Sequence, residues 1–522
     1  MRSSLLEAPQ APTRQIATIA TAVRSAASRW PDSAALVDGD VPSRRWTFAE
    51  IAVIAEHVAG ALFQRYAPGE HVAVWSANRP EWTFLEFGAA MAGLTLVTVN
   101  PALGRAEAGD VLGRSEVVAV FCEPDYRGRD LVGIADDLRP ELPRLRDVNS
   151  FAHFDHYTNG SAADLPTVAP STPAQIQYTS GTTGLPKGAL LTHRGLVDNS
   201  WFYASVIGAS HRDVWINPMP LFHTAGCGLI TLGALQTGGC QVLMRAFDPD
   251  RMLDLIQSEN GTLTCSVPTM LVRVLDAQRA RVRDVTRLRL WLLGGAPVAP
   301  GLIRRAKHEL QTDVGIGYGQ TEASPYITHT LPADPHPHWD ETVGRPLPHI
   351  SVRIAQPDDG ATATLGQVGE ICTRSSCVMA GYYNDLTSTD QAIDADGWLH
   401  TGDLGMMDEH GYLRIVGRLK DMIIRGGENV YPREIEDLLH NHPAVAEAAV
   451  IGVPDGEWGE QVAAVVRLRG RVTSDELTTF CRLHLASFKV PRLWRFVNEF
   501  PQTASGKVLK FELRDQLRDE RD

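Results

Sequence analysis

A run of small and hydroxyl-bearing residues that ends in a lysine has the composition of a phosphate-binding loop. Residues 178–188 read Tyr-Thr-Ser-Gly-Thr-Thr-Gly-Leu-Pro-Lys-Gly, and seven of these eleven are Ser, Thr or Gly. Glycines let a backbone approach a ligand closely, and hydroxyls and backbone N–H groups donate to phosphate oxygens. Lys187 adds a charge that suits a polyphosphate. A flexible Ser/Gly linker is the alternative, but the strand-like residues before the run and the apolar residues after it favour a loop that grips a nucleotide triphosphate.

A second stretch, Gly317-Tyr-Gly-Gln-Thr-Glu322, offers oxygen ligands for a metal ion. It follows a strand-like segment at residues 313–316. Glu322 can hold Mg²⁺, which prefers oxygen ligands and the phosphates of its substrate, and Thr321 can donate to a phosphate. A single glutamate at the end of a strand is more often solvated surface, so the residues alone leave both interpretations open.

The elements that must position these residues alternate between strands and helices. Apolar residues at three- and four-residue spacing predict helices at residues 16–30 and 47–64, the second starting with a capping box of Thr47 and Glu50. Strands are predicted at residues 72–75, 94–99, 117–122, 214–216, 241–244 and 288–293, and further helices at residues 81–92, 195–207, 249–258 and 300–310. This alternation predicts an α/β fold with parallel-type sheets. Residues 140–173, rich in Pro, Asn, Asp and Ser, are predicted to be irregular.

The pattern changes towards the C-terminus. From Gly344 short strands with frequent Gly and Asp turns predict a small β-barrel-like part. Residues 422–522 have their own alternation, enough for a small α+β domain. Since 522 residues are too many for one compact core, we predict a large ATP- and acid-binding domain at 1–417, a hinge at 418–421 and a small mobile domain at 422–522.

Composition excludes several classes of protein. The formal net charge of −13 argues against a nucleic-acid partner, which needs a basic surplus, although an ATP site needs only a few local cations. Seven cysteines without a C-x-x-C pair predict reduced thiols. Residues 1–15 lack the apolar core of a secretory signal, and no apolar run approaches the roughly 18 residues that a membrane span requires. We expect a soluble, cytoplasmic protein.

The Thr-Ser-Gly-Thr-Thr-Gly-x-Pro-Lys-Gly string resembles the phosphate loop of the adenylate-forming superfamily, which contains acyl- and aryl-CoA synthetases, peptide-synthetase adenylation domains and beetle luciferases. The resemblance runs from about residue 30 to the end of the chain. It implies ATP, Mg²⁺ and coenzyme A as cofactors, and it is nearest to the fatty-acyl- or aryl-CoA ligases.

The resemblance also implies which residues bind the nucleotide. Glu322 would bind Mg²⁺, Thr321 would contact phosphate and Tyr318 would stack on adenine. Asp403, for which an Asx-turn is the local alternative, would accept the ribose hydroxyls with help from Arg418. The implied ATP/AMP set is Thr179, Ser180, Gly181, Thr182, Thr183, Gly184, Lys187, Gly295, Ala296, Tyr318, Gly319, Thr321, Asp403 and Arg418.

Lys507, in Thr-Ala-Ser-Gly-Lys, resembles the closing lysine of the superfamily. On composition alone it is a solvent-exposed lysine in a Gly-Ser loop. The resemblance implies that it reaches the active site and bridges the carboxylate and the α-phosphate. The implied catalytic set is Lys507, Glu322, Thr321 and His223.

Three residues resemble the parts of the superfamily that serve the second half-reaction. Lys420 lies at the hinge position, about which the small domain would swing, although an exposed loop lysine is the plain alternative. Gly426 and Gly427 resemble the loop that leaves a narrow tunnel open for the pantetheine arm of CoA, and they also fit a turn before a helix.

His223 lies where the superfamily places the residue beside the acid pocket. Domains that activate α-amino acids generally carry Asp here, so an α-amino acid is not the expected substrate. The implied pocket consists of small and polar residues that fit a medium-length chain or an aromatic ring. Its predicted members are His223, Thr224, Cys227, Gly317, Gln320 and Ser324.

Together these residues predict an ATP-dependent acid–thiol ligase that adenylates a carboxylic acid and then transfers the acyl group to CoA. A second interpretation passes the activated acid to a carrier protein or to a nucleophile that is not a thiol, and a variant of either activates an unusual oxyacid. A third interpretation is an inactive ATP-binding module. The intact chemical groups argue against the inactive module: Lys187, Glu322, Asp403, Arg418 and Lys507.

Overall fold

The computed structural model of the chain describes residues 3–8, 15–159, 164–179, 186–331, 334, 339–501 and 508–519. The chain forms two compact units. The large unit comprises Leu6–Val352 and Thr373–His400, and the small unit comprises Met1–Leu5, Arg353–Cys372 and Thr401–Asp522. This division does not test whether the chain bends at residues 418–421, so the hinge and the predicted domain boundaries stay predictions.

The first sheet of the large unit has seven strands. Neighbouring strands run parallel except at one edge, where Gly381–Tyr382 pairs antiparallel with Lys187–Thr192 and the latter pairs antiparallel with Pro173–Thr179. Helices Arg105–Arg114 and Leu131–Leu138 pack through their apolar residues on one face. In spatial order the strands are Gly381–Tyr382, Lys187–Thr192, Pro173–Thr179, Thr95–Val99, His71–Trp75, Ala119–Cys122 and Asp147–Ser150.

The second sheet of the large unit has nine strands, which are parallel in the centre and antiparallel at both edges. Helices Pro249–Ser258, Pro268–Ala280 and Pro300–Glu309 cover one face. In spatial order the strands are Arg345–Pro346, Tyr326–His329, Asp313–Gly319, Leu290–Leu293, Leu263–Ser266, Val214–Asn217, Cys240–Leu243, Ala34–Asp38 and Arg45–Thr47.

A group of helices packs together and against the two sheets. Helix Phe48–Phe63 begins with the predicted capping box, in which the Thr47 N–H donates to the Glu50 carboxylate at 2.7 Å. Helix Pro80–Met91 contacts strands of both sheets and is buried along its length. The other members are Ile19–Arg29, His193–Val206, the π-helix Ala225–Thr231 and Leu232–Thr237, and the short helix Leu386–Ala392 lies elsewhere in the unit.

The buried helix Pro80–Met91 carries an acidic residue. Glu86 is 1% exposed, and its Oε1 accepts a hydrogen bond from Gln175 Nε2 at 2.7 Å. Its Oε2 has no partner among the residues that the structure describes. Because burial penalises the charged form, the pKa of Glu86 is raised well above its usual range.

The substitution Glu86→Gln is expected to stabilise the protein more at pH 8 than at pH 5. Above pH 4.5 the Glu86 carboxyl keeps its proton in the folded state but loses this proton in the unfolded state. The free energy of unfolding of the wild type therefore falls as the pH rises above 4.5. The slope is at most about 1.4 kcal/mol per pH unit. Gln has no such proton to lose. Thermal melting of both proteins from pH 5 to pH 8 measures the effect, and a difference in melting temperature that does not grow with pH would contradict a neutral Glu86.

The prediction that residues 140–173 are irregular is wrong for their first part. Strand Asp147–Ser150 extends the seven-stranded sheet and is followed by the short helix Asp155–Thr158. The physical reason is aromatic packing, since Phe151, Phe154 and Tyr157 surround Phe121 with ring centroids 6.2, 6.2 and 5.1 Å away. Polar residues between these rings concealed them in the composition.

The small unit contains two sheets. Most residues of the first sheet belong to this unit. The five strands of this sheet in spatial order are Leu5–Leu6, Ser351–Ala355, Gly369–Arg374, Leu399–Met407 and Leu413–Arg418. The second has the order Glu428–Val430, Ile423–Arg425, Gly459–Leu468 and Val445–Asp455, and Leu493–Val497 pairs with Gly459–Leu468. Helices Pro432–His440, Ser474–Arg482 and Lys510–Asp519 complete the unit.

These strands and helices confirm the predicted α/β fold class, with mixed sheets and a separate C-terminal α+β part. Within the described ranges, no helix has both the length and the apolar character needed to cross a bilayer.

Candidate active site

A β-hairpin of the large unit carries both ends of the predicted phosphate loop. Strands Pro173–Thr179 and Lys187–Thr192 pair antiparallel, with Thr179 opposite Lys187. The Thr179 hydroxyl donates to the Lys187 carbonyl at 3.4 Å. The hairpin therefore holds these two predicted phosphate ligands side by side. The predicted ligands Ser180, Gly181, Thr182, Thr183 and Gly184 lie outside the described residues.

Arg114 anchors the loop end of this hairpin, and no motif in the sequence points to it. Its Nη1 donates to the carbonyl of Pro186 at 2.8 Å, and its guanidinium lies 5.6 Å from the centroid of the Tyr178 ring. The Tyr178 hydroxyl in turn accepts from Ser115 Oγ at 2.9 Å. These contacts fix the residues on either side of the loop, which lowers the entropy lost when a ligand binds.

Glu322 lies in the short 3₁₀ turn Thr321–Ala323, which follows strand Asp313–Gly319. Its side chain is half-buried, and its Oε1 accepts a hydrogen bond from the Tyr382 hydroxyl at 2.8 Å. Burial and the neighbouring carboxylate raise the pKa of Tyr382, so its phenol keeps the donated proton. A carboxylate with a second oxygen to offer is a ligand of the kind that Mg²⁺ prefers, so the donor fits the ion.

Lys187 approaches the same tyrosine from the hairpin. Its Nζ lies 5.2 Å from the centroid of the Tyr382 ring, within the range of a cation–π contact. The structure therefore links the predicted phosphate lysine and the predicted metal ligand through Tyr382. Sequence reasoning missed this residue, and the only available signal was its Gly-Tyr-Tyr context at residues 381–383.

The predicted adenine-side residues lie at the carboxyl ends of two neighbouring strands in the nine-stranded sheet. Strands Leu290–Leu293 and Asp313–Gly319 are parallel neighbours, so the segments at their carboxyl ends lie close together. Gly295 and Ala296 follow the first strand and are exposed, and Gly295 has φ +75°, a conformation that favours glycine. Tyr318 in the second strand is 7% exposed.

The backbone before His223 is held by a buried asparagine that sequence reasoning also missed. Asn78 Nδ2 donates to the carbonyls of Met219 and Met244 at 2.9 Å each, and its Oδ1 accepts from the N–H of Leu221 at 2.7 Å. This positions the turn that presents His223. Burial lowers the pKa of His223 to about 4, so its imidazole is neutral at physiological pH.

Three of the predicted acid-pocket residues already have a structural role. Two of them donate hydrogen bonds to other residues of the chain, and the third is a glycine that packing requires. The Cys227 thiol is fully buried and donates to Gln175 Oε1 at 3.4 Å. The Ser324 hydroxyl donates to the Cys377 carbonyl at 2.7 Å. A Cβ on Gly317 would come within 2.5 Å of the Tyr326 ring, so packing alone already requires glycine there. Thr224 is buried and Gln320 half-buried.

The small unit brings together the two predicted ribose ligands. Asp403 and Arg418 are directly paired across neighbouring antiparallel strands, and Arg418 Nε lies 3.1 Å from Asp403 Oδ1. Asp403 is 8% exposed, so the pair forms a partly buried ionic contact. The register explains why two residues fifteen positions apart in sequence lie in direct contact.

The predicted hinge and tunnel residues follow in the same unit. Lys420 is exposed in the 3₁₀ turn Leu419–Asp421. Gly426 and Gly427 form the tip of the hairpin between Ile423–Arg425 and Glu428–Val430, with φ +60° and +86°. Successive positive φ angles are typical of a two-residue hairpin turn, which accounts locally for both glycines. Lys507 lies outside the described residues.

Two family models match the chain. The model of the AMP-binding enzyme matches residues 23–383, and the model of the AMP-binding enzyme C-terminal domain matches residues 434–507. The chain belongs to the AMP-binding enzyme family. The first match includes the hairpin, Glu322 and Tyr382, and the second ends at Lys507.

Members of the AMP-binding enzyme family resemble the chain over almost its whole length. It is 37% identical to the putative acyl-CoA synthetase YngI of Bacillus subtilis (strain 168), covering 96% of this chain and 97% of that protein. It is 34% identical to the human mitochondrial medium-chain acyl-CoA ligase ACSF2, covering 96% and 87%. The crystal structure of ATP-bound MatB from Rhodopseudomonas palustris has a TM-score of 0.87 at 29% identity and covers 96% of this chain and 100% of that chain.

These similarities confirm the predicted superfamily and enzyme class: the AMP-binding enzyme described here is an AMP-forming acid–CoA ligase, whose class uses a small-molecule acid, ATP and CoA. The roles of the individual site residues stay predictions. Geometry supports them most where it joins residues distant in sequence, at Lys187 with Glu322 and at Asp403 with Arg418.

Proposed function

We propose that this enzyme activates a medium-chain carboxylic acid with Mg·ATP and transfers the acyl group to free CoA. The observation that carries the choice of acid is the 34% identity to a medium-chain acyl-CoA ligase across 96% of the chain. The predicted acid-side residues agree with an apolar tail, because they offer no formal charge to a distal group. Even His223 is neutral above a pKa of about 4.

In the first half-reaction a carboxylate oxygen attacks the α-phosphorus of ATP, and the bond from that phosphorus to pyrophosphate breaks. Lys187 and the hydroxyls of the hairpin loop hold the phosphates in line for the attack. Glu322 would hold Mg²⁺, and the bound ion would supply positive charge that offsets the charge of the phosphates. Lys507 steadies the carboxylate and the α-phosphate as negative charge develops.

In the second half-reaction the CoA sulfur attacks the acyl carbonyl, and AMP leaves with the electron pair of the broken acyl–phosphate bond. Asp403 and Arg418 hold the ribose of the departing nucleotide. Gly427 leaves space for the pantetheine arm, and rotation about Lys420 exchanges Lys507 for the thiol. The cytoplasmic location of this reaction stays a prediction from the sequence.

The test is a panel of acids assayed by pyrophosphate release and by mass spectrometry of the CoA thioester. Each buried methylene is worth about 0.8 kcal/mol, so kcat/KM is expected to rise about four-fold per methylene until the pocket is full, at about six to ten carbons. A maximum at acetate, at a dicarboxylate or at benzoate would contradict the medium-chain assignment.

The acceptor is tested in the same assay. Free CoA is compared with a carrier protein bearing a phosphopantetheine arm, at equal thiol concentration. We expect faster thioester formation with free CoA. A carrier that outcompetes CoA would replace this part of the proposal with the carrier-loading interpretation.

A further inference from the structure

We propose that Tyr382 is a positioning residue that couples the phosphate-binding lysine to the carboxylate that holds Mg²⁺. The inference rests on the proposed roles of Lys187 and Glu322 and adds to them a residue with no direct contact to substrate. Its basis is the placement of one phenol between two groups that are 135 residues apart in sequence.

The first contact fixes the carboxylate. The Tyr382 hydroxyl donates to Glu322 Oε1 at 2.8 Å, which restrains the side chain while this bond does not use Oε2. The backbone of Glu322 is held by the same segment, because the N–H of Met379 donates to the Glu322 carbonyl at 2.8 Å. Residues 379–382 therefore hold Glu322 at both its backbone and its side chain.

The second contact restrains the lysine. The ring of Tyr382 lies below Lys187 Nζ at 5.2 Å, and an aromatic face attracts a cation at this distance. The Lys187 side chain is a flexible stem of four methylene carbons. A contact with its ammonium group therefore reduces the number of positions that this group samples.

The backbone of Tyr382 is itself tied to the phosphate hairpin. Tyr382 pairs with Ala189 across an antiparallel bridge, and the N–H of Tyr383 donates to the carbonyl of Gly188 at 2.8 Å. The Tyr382 N–H donates to Thr389 Oγ1 at 2.8 Å. The phenol is thus a rigid link between the hairpin and the 3₁₀ turn that carries Glu322.

This arrangement predicts an effect confined to the metal–nucleotide complex. Loss of the hydroxyl frees Glu322 but keeps the ring beneath Lys187, so Tyr382→Phe separates the two contacts. Loss of the ring as well, in Tyr382→Leu, also frees Lys187. Neither change touches the predicted acid or CoA residues.

Calorimetry with α,β-methylene-ATP, a non-cleavable analogue, measures both effects without turnover. Tyr382→Phe is expected to weaken binding of the Mg²⁺ complex about ten-fold and to leave binding of the metal-free analogue within about two-fold of wild type. Tyr382→Leu is expected to weaken the metal-free analogue as well, by about three-fold. In steady-state assays the KM for Mg·ATP rises, and the KM for CoA is unchanged.

Tyr383→Phe is the matched control, because its hydroxyl donates to the exposed Glu116 at 3.0 Å and not to a site residue. It should bind the analogue as wild type does. Equal binding of Mg²⁺·analogue by wild type and a folded Tyr382→Phe would overturn the inference and leave the proposed function standing. Failure of the wild type to bind the analogue would overturn both. Should Tyr382→Leu not fold, Tyr382→Phe decides alone.

Discussion

Replacing Lys507 with alanine is expected to slow acyl-adenylate formation by about 10²–10³-fold, the effect of removing one preorganised donor to developing charge. The carboxylate and the α-phosphate are both negative where they meet, and alanine has neither a charge nor a donor with which to bridge them. In the second half-reaction the attacking group is a sulfur, and the carbonyl is already activated. Thioester formation from supplied acyl-adenylate should therefore stay within about three-fold of wild type.

The two half-reactions are measured separately, by pyrophosphate release without CoA and by loss of synthetic acyl-adenylate with CoA. Lys510→Ala is the matched control. This lysine lies in the same terminal segment and is engaged by Glu436, with Nζ 2.7 Å from Oε1, so its loss should slow neither half-reaction. An equal loss of both rates in Lys507→Ala would contradict a lysine that acts in the first step alone.

Local signals in the sequence were enough to predict most of the strands and helices near the site. Thr47 and Glu50 predicted the start of a helix through their capping box. Helix Pro249–Ser258 has the predicted bounds because a proline at its start and a short amphipathic run define them. The phosphate loop was predicted for the same reason, since its glycines, hydroxyls and lysine are contiguous, whereas the antiparallel hairpin that carries its two ends was not predicted.

What the sequence could not predict were contacts made by residues distant along the chain. Asn78 supports the turn before His223 from another strand end, and Arg114 reaches the loop from a helix. Tyr382 lies sixty residues from Glu322. Each is a single polar or aromatic side chain without a local pattern, and only the strand order brings it to its partner.

The second large effect is expected at Gly427. In Gly427→Leu, pyrophosphate release should continue at close to the wild-type rate, while thioester formation should fall by about 10²-fold or more. The physical reason is position. A side chain at the hairpin tip would occupy the proposed path of the pantetheine arm, and a displacement of about 1 Å from the reactive geometry is enough for a loss of this size.

The structure supplies the control for this substitution. Apart from Gly427 and its two chain neighbours, no described residue has an atom within 4 Å of a Cβ built on Gly427, so a Cβ fits there and the local cost of a side chain comes from φ +86°. Gly360 has the same properties, with φ +70° and open space around its Cβ. Gly360→Leu therefore carries a similar backbone strain, about 1–2 kcal/mol, at a turn with no proposed role.

Comparing the two variants separates a blocked path from a weakened fold. If strain alone mattered, both leucines would lower the melting temperature and reduce both half-reactions to a similar degree. A blocked path reduces only the thiol step and only in Gly427→Leu. Unchanged CoA turnover in that variant would mean that the thiol arrives by another route, and the assignment of Gly426 and Gly427 to the CoA path would have to be abandoned.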